Sequence, residues 1–120
     1  MKQKEIGAWG EKQAAEYLRG KGYRILETGY RSRFGEIDLI AADEAFLAFV
    51  EVKTRKDKHF SLAREAINQR KITRIRQTAA LWLSRQEILL QPRFDVIEIY
   101  APRGADTPDP EITHLEDAFQ

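Results

Sequence analysis

Gly35-Glu36-Ile37-Asp38-Leu39-Ile40-Ala41, then an Asp43-Glu44 turn, then Phe46-Leu47-Ala48-Phe49-Val50-Glu51-Val52-Lys53 is the stretch on which the reading of this chain turns. The first segment alternates apolar and polar residues, which is the signature of a strand. The first half of the second segment is apolar at every position. It therefore reads as a central strand in a sheet covered on both faces. A short polar turn between the two makes an antiparallel hairpin. A hairpin centred on that turn sets Asp38 directly across from Glu51. Glu51 and Lys53 are two apart and share a face. Two carboxylates and one ammonium thus converge at the end of an apolar strand.

Upstream, Lys4 to Arg19 reads as a helix. Gly7, Ala14 and Leu18 form one stripe, with Ile6, Trp9, Gln13 and Tyr17 beside it. Gly20 and Gly22 stop it, and a strand runs from Tyr23 to Leu26, extending toward Tyr30. Glu11 falls on the border of the apolar stripe, and the small Gly7 and Gly10 let the helix approach the sheet. Downstream, Ser61 is a candidate cap for a long helix from Leu62 to Arg85, whose buried side includes Ala66, Ile67, Ile72, Ile75, Ala79, Trp82 and Leu83. Phe94 to Tyr100 is a further strand, 102–110 a loop, and Glu111 to Leu115 a short edge strand. The order α-β-β-β-α-β, with one more strand at the end, predicts a single α/β domain over 1–120, a sandwich with a mixed sheet between helices.

Facing carboxylates in an apolar setting repel, and one is expected to keep a proton unless a cation intervenes. Mg²⁺ takes oxygen donors of this kind, usually one or two carboxylates with water and phosphate oxygens. Such an ion activates water and shields charge on an attacked phosphate. Lys53 can orient that water, neutralise the phosphate or, if desolvated, carry a proton.

These residues, with Gly10-Glu11, Ala15, Leu18, Gly22-Tyr23, Lys71, Ala79, Arg93-Phe94-Asp95-Val96 and His114-Leu115, resemble the YraN-like family of uncharacterised bacterial proteins. That family resembles the PD-(D/E)XK nuclease superfamily, and in particular its Holliday junction resolvase-like branch. The resemblance implies a restriction-endonuclease-like fold and a Mg²⁺- or Mn²⁺-dependent endonuclease acting on DNA, branched or damaged. It implies that Glu11, Asp38 and Glu51 hold the metal with the Val52 carbonyl, and that Lys53 is the catalytic lysine. Homodimers are frequent in that branch. Three positions depart from the superfamily pattern: Ile37 replaces a proline before Asp38, Thr73 follows Gln69 where a tyrosine would complete a helix signature, and Gly29 stands in place of an asparagine.

The composition fits a partner with phosphates through its distribution, not its total. Lys+Arg number 20 and Asp+Glu 19, a net charge of +1. Yet Lys53 to Arg76 carries nine basic residues against two acids, while Glu87 to the C-terminus carries eight acids against two bases. A basic middle gathered on one face attracts polyanions; the alternative is a merely solvated helix. Arg31, Arg33, Arg55 and Lys56 flank the charged end of the hairpin and are candidate phosphate contacts, as are Lys71 and Arg74 one helical turn apart. The absence of cysteine excludes disulfides, thiolate zinc sites and cysteine nucleophiles. The longest apolar run, Ala45 to Val50, is six residues, far short of a membrane span. With no apolar core near Met1, a cytoplasmic protein is expected.

Plainer readings stand beside these. Glu51 and Lys53 can be an idle surface pair, Asp38 a turn cap, and Glu11 a solvated helix residue. Glu36 is either an accessory ligand or a partner of Arg33 or Arg55. Asp95 is expected to make a structural hydrogen bond, His59 and His114 stand isolated, and Trp9, Trp82, Phe46 and Phe49 belong to the core. A non-catalytic nucleic-acid-binding or adaptor module, or a protein-interaction domain using the acidic tail, would carry the same charges.

Overall fold

The turn between Ala42 and Phe46 is fixed by Asp43, whose Oδ1 accepts the N–H groups of Ala45 (2.9 Å) and Phe46 (2.7 Å), the side chain imitating a backbone turn. Those two bonds, that of Phe46 first, hold its carboxyl below the usual range. In the computed structural model, which describes residues 3–57 and 68–119, the elements are α1 (Gln3–Gly20), β1 (Arg24–Ser32), β2 (Gly35–Ala42), β3 (Phe46–Arg55), α2 (Gln69–Leu83), β4 (Gln91–Tyr100), a 3₁₀ turn (Gly104–Asp106) and β5 (Glu111–Leu115).

The hairpin has the expected register, pairing Ala42 with Leu47, Ala41 with Ala48, Ile40 with Phe49 and Leu39 with Val50. The sheet order is β1-β2-β3-β4-β5. β1 pairs antiparallel with β2, and β2 antiparallel with β3. β3 and β4 are parallel, joined by the crossover that contains α2, and β4 and β5 are antiparallel. The result is a mixed α/β protein with an open five-stranded sheet and one helix on each face. Every residue from Leu47 to Glu51 is buried, as the unbroken apolar run of β3 foretells.

Two cores flank the sheet. On one face Ala14, Ala15 and Leu18 of α1 pack on Leu39, Ala41, Ala48, Val50, Ile97 and Ile99. On the other, Ile75, Ala79 and Trp82 of α2 cover Ile37, Ile40, Leu47 and Phe49. Each fully buried Leu, Ile or Phe contributes about 1.5–3 kcal/mol, so both helices are docked chiefly by these contacts. Ile37 and Ile40 join the same cluster although they are three apart. Strict alternation therefore fails across Asp38, where the β2–β3 ladder ends.

Several local expectations need correction. Ser61, Ala66 and Ile67 lie outside the described residues, but α2 begins at Gln69. Asn68 has extended backbone and its side chain accepts the Lys71 N–H, so no single helix runs from Leu62 to Arg85: a capping residue ends helical geometry on its upstream side. On α1 the buried stripe passes through Ile6, Gly10, Ala14, Ala15 and Leu18. Gly10 makes the close approach, its Cα facing Thr54, whereas a β-carbon on Gly7 would meet nothing within 4 Å. Gly22, at φ 96°, lets the Tyr23 N–H return to the Leu18 carbonyl (2.9 Å) and close the helix.

Candidate functional site

The charged end of β3 lies where the sheet opens. Beyond the Leu39–Val50 pair the two strands no longer bond as a ladder. Instead the Val52 N–H donates to Asp38 Oδ2 at 2.8 Å. Asp38, Glu51, Val52 and Lys53 line a cleft of about 320 Å³ together with Glu11, Arg55 and other residues from α1, β3 and α2. The hairpin thus brings together Asp38, Glu51 and Lys53, and α1 adds Glu11, the fourth residue singled out for catalysis, to the same cleft.

Glu51 is 4% exposed. One oxygen, Oε2, meets Lys71 Nζ at 3.3 Å; the other, Oε1, is buried without a hydrogen-bond partner. An unpaired buried oxygen costs about 1–3 kcal/mol, more when charged. Burial, and then the neighbouring Asp38 charge, push this carboxyl up to about 7, against some relief from Lys71 and Lys53. Asp38 is also raised, by burial first, with the Val52 N–H bond opposing. Glu11 rises to about 7 through burial, then through Asp38 and Glu36. Asp38 is therefore the electrostatic centre that couples the helix glutamate to the strand glutamate.

Lys53 is depressed to about 8, by burial first and then by the adjacent Lys71. Lys71 is raised: burial works against it, but its bonds to Lys53 and Glu51 outweigh that. The first turn of α2 has no acidic residue and carries Arg70 and Lys71. Cations are disfavoured at the positive end of a helix, so this arrangement asks for an anion in front of it. Glu51 is the anion inside the protein.

The phosphate-contact candidates divide. Lys71 and Arg74 line a second cleft of about 390 Å³ on the α2 side, which shares Asp38 and Glu51 with the first. Arg55 lines the central cleft, its Nε buried without a partner. Lys56 is exposed beside it. Arg31 lines a third cleft, on the α1 side. Arg33 instead lies over the Phe34 ring, 4.8 Å from its centroid. Glu36 pairs with Arg31 at 3.5 Å, not with Arg33 or Arg55, because the tight β1–β2 turn sets Arg31 directly across from it.

Among the described residues no three carboxylate or imidazole groups come close enough to hold an ion by themselves. A cation at this centre would draw on Asp38 and Glu51, with further oxygens from backbone, water or substrate, and Glu11 would have to move toward it. The donor set is nevertheless of the right kind: two carboxylates, one with a buried and unsatisfied oxygen, and a third acid, Glu11, in the same cleft.

Two features escaped sequence reasoning. Glu98 is the register partner of Lys53 across β3 and β4; only the parallel pairing reveals it. His114 is not isolated. Its Nε2 lies 2.7 Å from Asp95 Oδ2 and its Nδ1 3.0 Å from Lys21 Nζ. Lys21 as an ammonium can only donate, so Nδ1 accepts and Nε2 carries the proton to Asp95. Asp95, fully buried, makes the expected structural bonds and more: both oxygens take Arg93 at 2.8 Å, and Oδ1 accepts the Asp117 N–H at 3.0 Å.

The sequence profile of the Uncharacterised protein family UPF0102 matches residues 10–99, which span the helix glutamate, the hairpin, α2 and most of β4. This chain belongs to that family. A UPF0102 protein of Syntrophomonas wolfei is 40% identical over 117 residues, covering 97% of this chain and 98% of its own. One from Mycobacterium sp. (strain KMS) is 47% identical over 113 residues, 92% of this chain and 82% of its own. One from Mycolicibacterium gilvum is 42% identical over 114, 92% and 90%. The resemblance to YraN-like proteins read from the hairpin is therefore a true family membership. Among the described residues no helix is long and apolar enough to cross a membrane.

Proposed function

We propose that this UPF0102 protein is a divalent-metal-dependent endonuclease that hydrolyses phosphodiester bonds of DNA, built on a restriction-endonuclease-like arrangement of the sheet. The single observation that carries this reading is Glu51: a carboxylate 4% exposed, one oxygen without a partner, beside the partly buried carboxylate of Asp38. A protein keeps so costly a pair where a cation relieves it. The ligands would be Asp38 and Glu51, with the Val52 carbonyl and Glu11 as the further oxygens. When bound, Mg²⁺ or Mn²⁺ supplies an acidified water and shields charge at the phosphate.

The remaining chemistry belongs to the chain. Lys53 Nζ, depressed to about 8, exists partly as free amine in mildly alkaline solution and can then accept a proton from the attacking water. As ammonium it steadies the phosphate instead. Lys71, which keeps its proton, holds Glu51 in place and presents positive charge to the same phosphate. Glu11, raised to about 7, can carry a proton at its carboxyl near neutrality. Arg55, Arg74 and Lys56 extend the cationic surface on which the flanking phosphates rest.

A second reading, a nucleic-acid-binding or adaptor module that does not cut, is favoured by the ion pair at the centre: Lys71 already neutralises Glu51 at 3.3 Å, and among the described residues no third carboxylate joins Asp38 and Glu51 closely enough to hold an ion. Calorimetric titration with Mn²⁺, paired with cleavage assays on plasmid, single-stranded and branched DNA, separates the two. Nuclease action predicts Mn²⁺ binding and cleavage that Asp38→Ala and Glu51→Ala both abolish. DNA binding with neither metal uptake nor cleavage selects the adaptor, and the hydrolytic proposal then fails.

A further inference from the structure

The carboxylate centre is the middle of a longer channel. The cleft on the α2 side and the central cleft share Asp38, Glu51 and Lys71. The central cleft and the one on the α1 side share Gly7 and Glu11. The three adjoin at these shared residues, and the series leads from the α2 face of the sheet to the α1 face past the end where β2 and β3 part. The α1-side limb holds about 480 Å³. Its walls are one helix, through Ala8, Lys12, Ala15 and Arg19, and two paired strands, through Thr28 and Arg31 of β1 and Leu39 of β2.

That helical wall has a pattern. Ala8, Lys12, Ala15 and Arg19 are spaced four, three and four apart and lie on one face of α1. Small residues leave the groove open, and between them stand cations two turns apart, about 10 Å along the axis. Lys12, Arg19 and Arg31 are all exposed, and Glu11 at the inner end is the one acid among the lining residues. Neither the hairpin nor the basic middle of the chain predicts this feature, since Lys12 and Arg19 belong to neither.

We propose that the α1-side limb receives an unpaired strand of nucleic acid, which crosses the carboxylate centre from the α2 side. This rests on the phosphodiesterase reading and names its substrate: a strand free of its complement, as at a flap, overhang or branch. Charge complementarity commits the groove to a polyanion. Its build, between a single helix and one face of the sheet and leading around the sheet end, suits one flexible chain. A continuous duplex cannot follow that path without severe deformation, which is costly for DNA over such a short length. Lys12, Arg19 and Arg31 would each answer a phosphate.

The test is fluorescence anisotropy with two labelled probes, an oligothymidine of about 20 nucleotides and a blunt duplex of equal length, in EDTA so that cleavage plays no part. Lys12→Glu/Arg19→Glu is the main variant and Lys12→Gln/Arg19→Gln the milder one, both with circular-dichroism melting to verify folding. The charge-reversed protein should bind the single strand about tenfold more weakly, and the neutral variant should lower the salt slope by about 1.4. Duplex affinity should change less than about twofold. Equal losses on both probes, or none on either, overturn the groove assignment and leave the carboxylate centre untouched. No binding of either probe by the unaltered protein at low salt overturns this inference and the nuclease proposal together; metal-dependent cleavage with unchanged binding in the variants overturns only this one.

Discussion

Lys71 Nζ stands 3.3 Å from Glu51 Oε2, so the first turn of α2 supplies the cation for a carboxylate at the end of β3. The ammonium sits where it opposes a second positive ion. On the proposed reading, Lys71→Met should therefore tighten Mn²⁺ binding, by about tenfold, since charges this close interact by more than 1 kcal/mol even when well screened. The same change should weaken DNA binding by removing a phosphate contact. Titration calorimetry and anisotropy on one protein preparation read the two effects. Weaker Mn²⁺ binding in the variant would show that Lys71 organises the ligands and does not compete with the ion.

The metal-free protein should lose stability as pH rises from about 4.5 through about 7, and Glu51 is the reason. Its carboxyl is raised from 4.5 to about 7, chiefly by burial. A raised folded value means that its contribution is fully present below pH 4.5 and lost as pH climbs through 7. For an almost fully buried group this loss is on the order of 3 kcal/mol. Glu51→Gln abolishes the titration. Urea unfolding of the two proteins should give a stability difference that shifts in favour of Glu51→Gln by that amount between pH 4.5 and pH 8.5. A difference that does not vary with pH would mean that Glu51 is solvated in solution.

The hairpin could be read in advance because its information is local. The turn at Asp43, the two-residue period of β2 and the apolar run of β3 specify a register, and a slip of one residue would turn a buried face outward. The approach of Asp38 to Glu51 follows from that register carried one pair past its end at Leu39 and Val50. The place of Lys71 does not, because α2 reaches the site through a crossover whose packing on Ile37, Ile40 and Phe49 sets the helix rotation. The start of α2 is not legible for a related reason: the cap at Asn68 competes with an upstream sequence of helix-compatible residues, and propensity does not decide between them. The Arg93–Asp95–His114 cluster was hidden because its members lie on β4 and β5, whose pairing appears only in the assembled sheet.

Gly10 and Gly7 should respond oppositely to alanine. In a helix interior alanine is favoured over glycine by about 1 kcal/mol. At Gly7 nothing lies within 4 Å of the added carbon, so Gly7→Ala should stabilise by about 0.5–1 kcal/mol. At Gly10 the added carbon collides with Thr54 Oγ1, and overpacking of this kind costs about 1–3 kcal/mol. Gly10→Ala should therefore be destabilised, and combining it with Thr54→Ala should recover part of the loss. Denaturant titration of the four proteins checks this. Stabilisation by Gly10→Ala alone would mean that α1 can lift away from β3 at little cost.

Asp95 is the most committed polar group in the protein, and its replacement should be the most damaging. It is fully buried, and it receives Arg93 through Nε and a terminal nitrogen at 2.8 Å each, His114 at 2.7 Å and the Asp117 N–H at 3.0 Å. Burial alone would raise its carboxyl. The His114 and Arg93 bonds outweigh that and hold it below its ordinary 3.8. With a depressed folded value, its contribution is present above 3.8 and disappears as pH falls through the folded value. Asp95→Asn keeps the shape but leaves the Arg93 guanidinium, 7% exposed, facing a neutral amide. Breaking one side of a buried pair costs about 3–5 kcal/mol, so the variant should be destabilised by that amount at pH 7. The gap should narrow progressively in acid, where the native aspartate also protonates. Glu116, 3.4 Å from the far side of Arg93 and half exposed, is too hydrated to compensate. Urea midpoints at pH 7 and near pH 3 decide the matter. A full-sized deficit that persists in acid would mean that packing around residue 95, not its charge, secures β4 to β5.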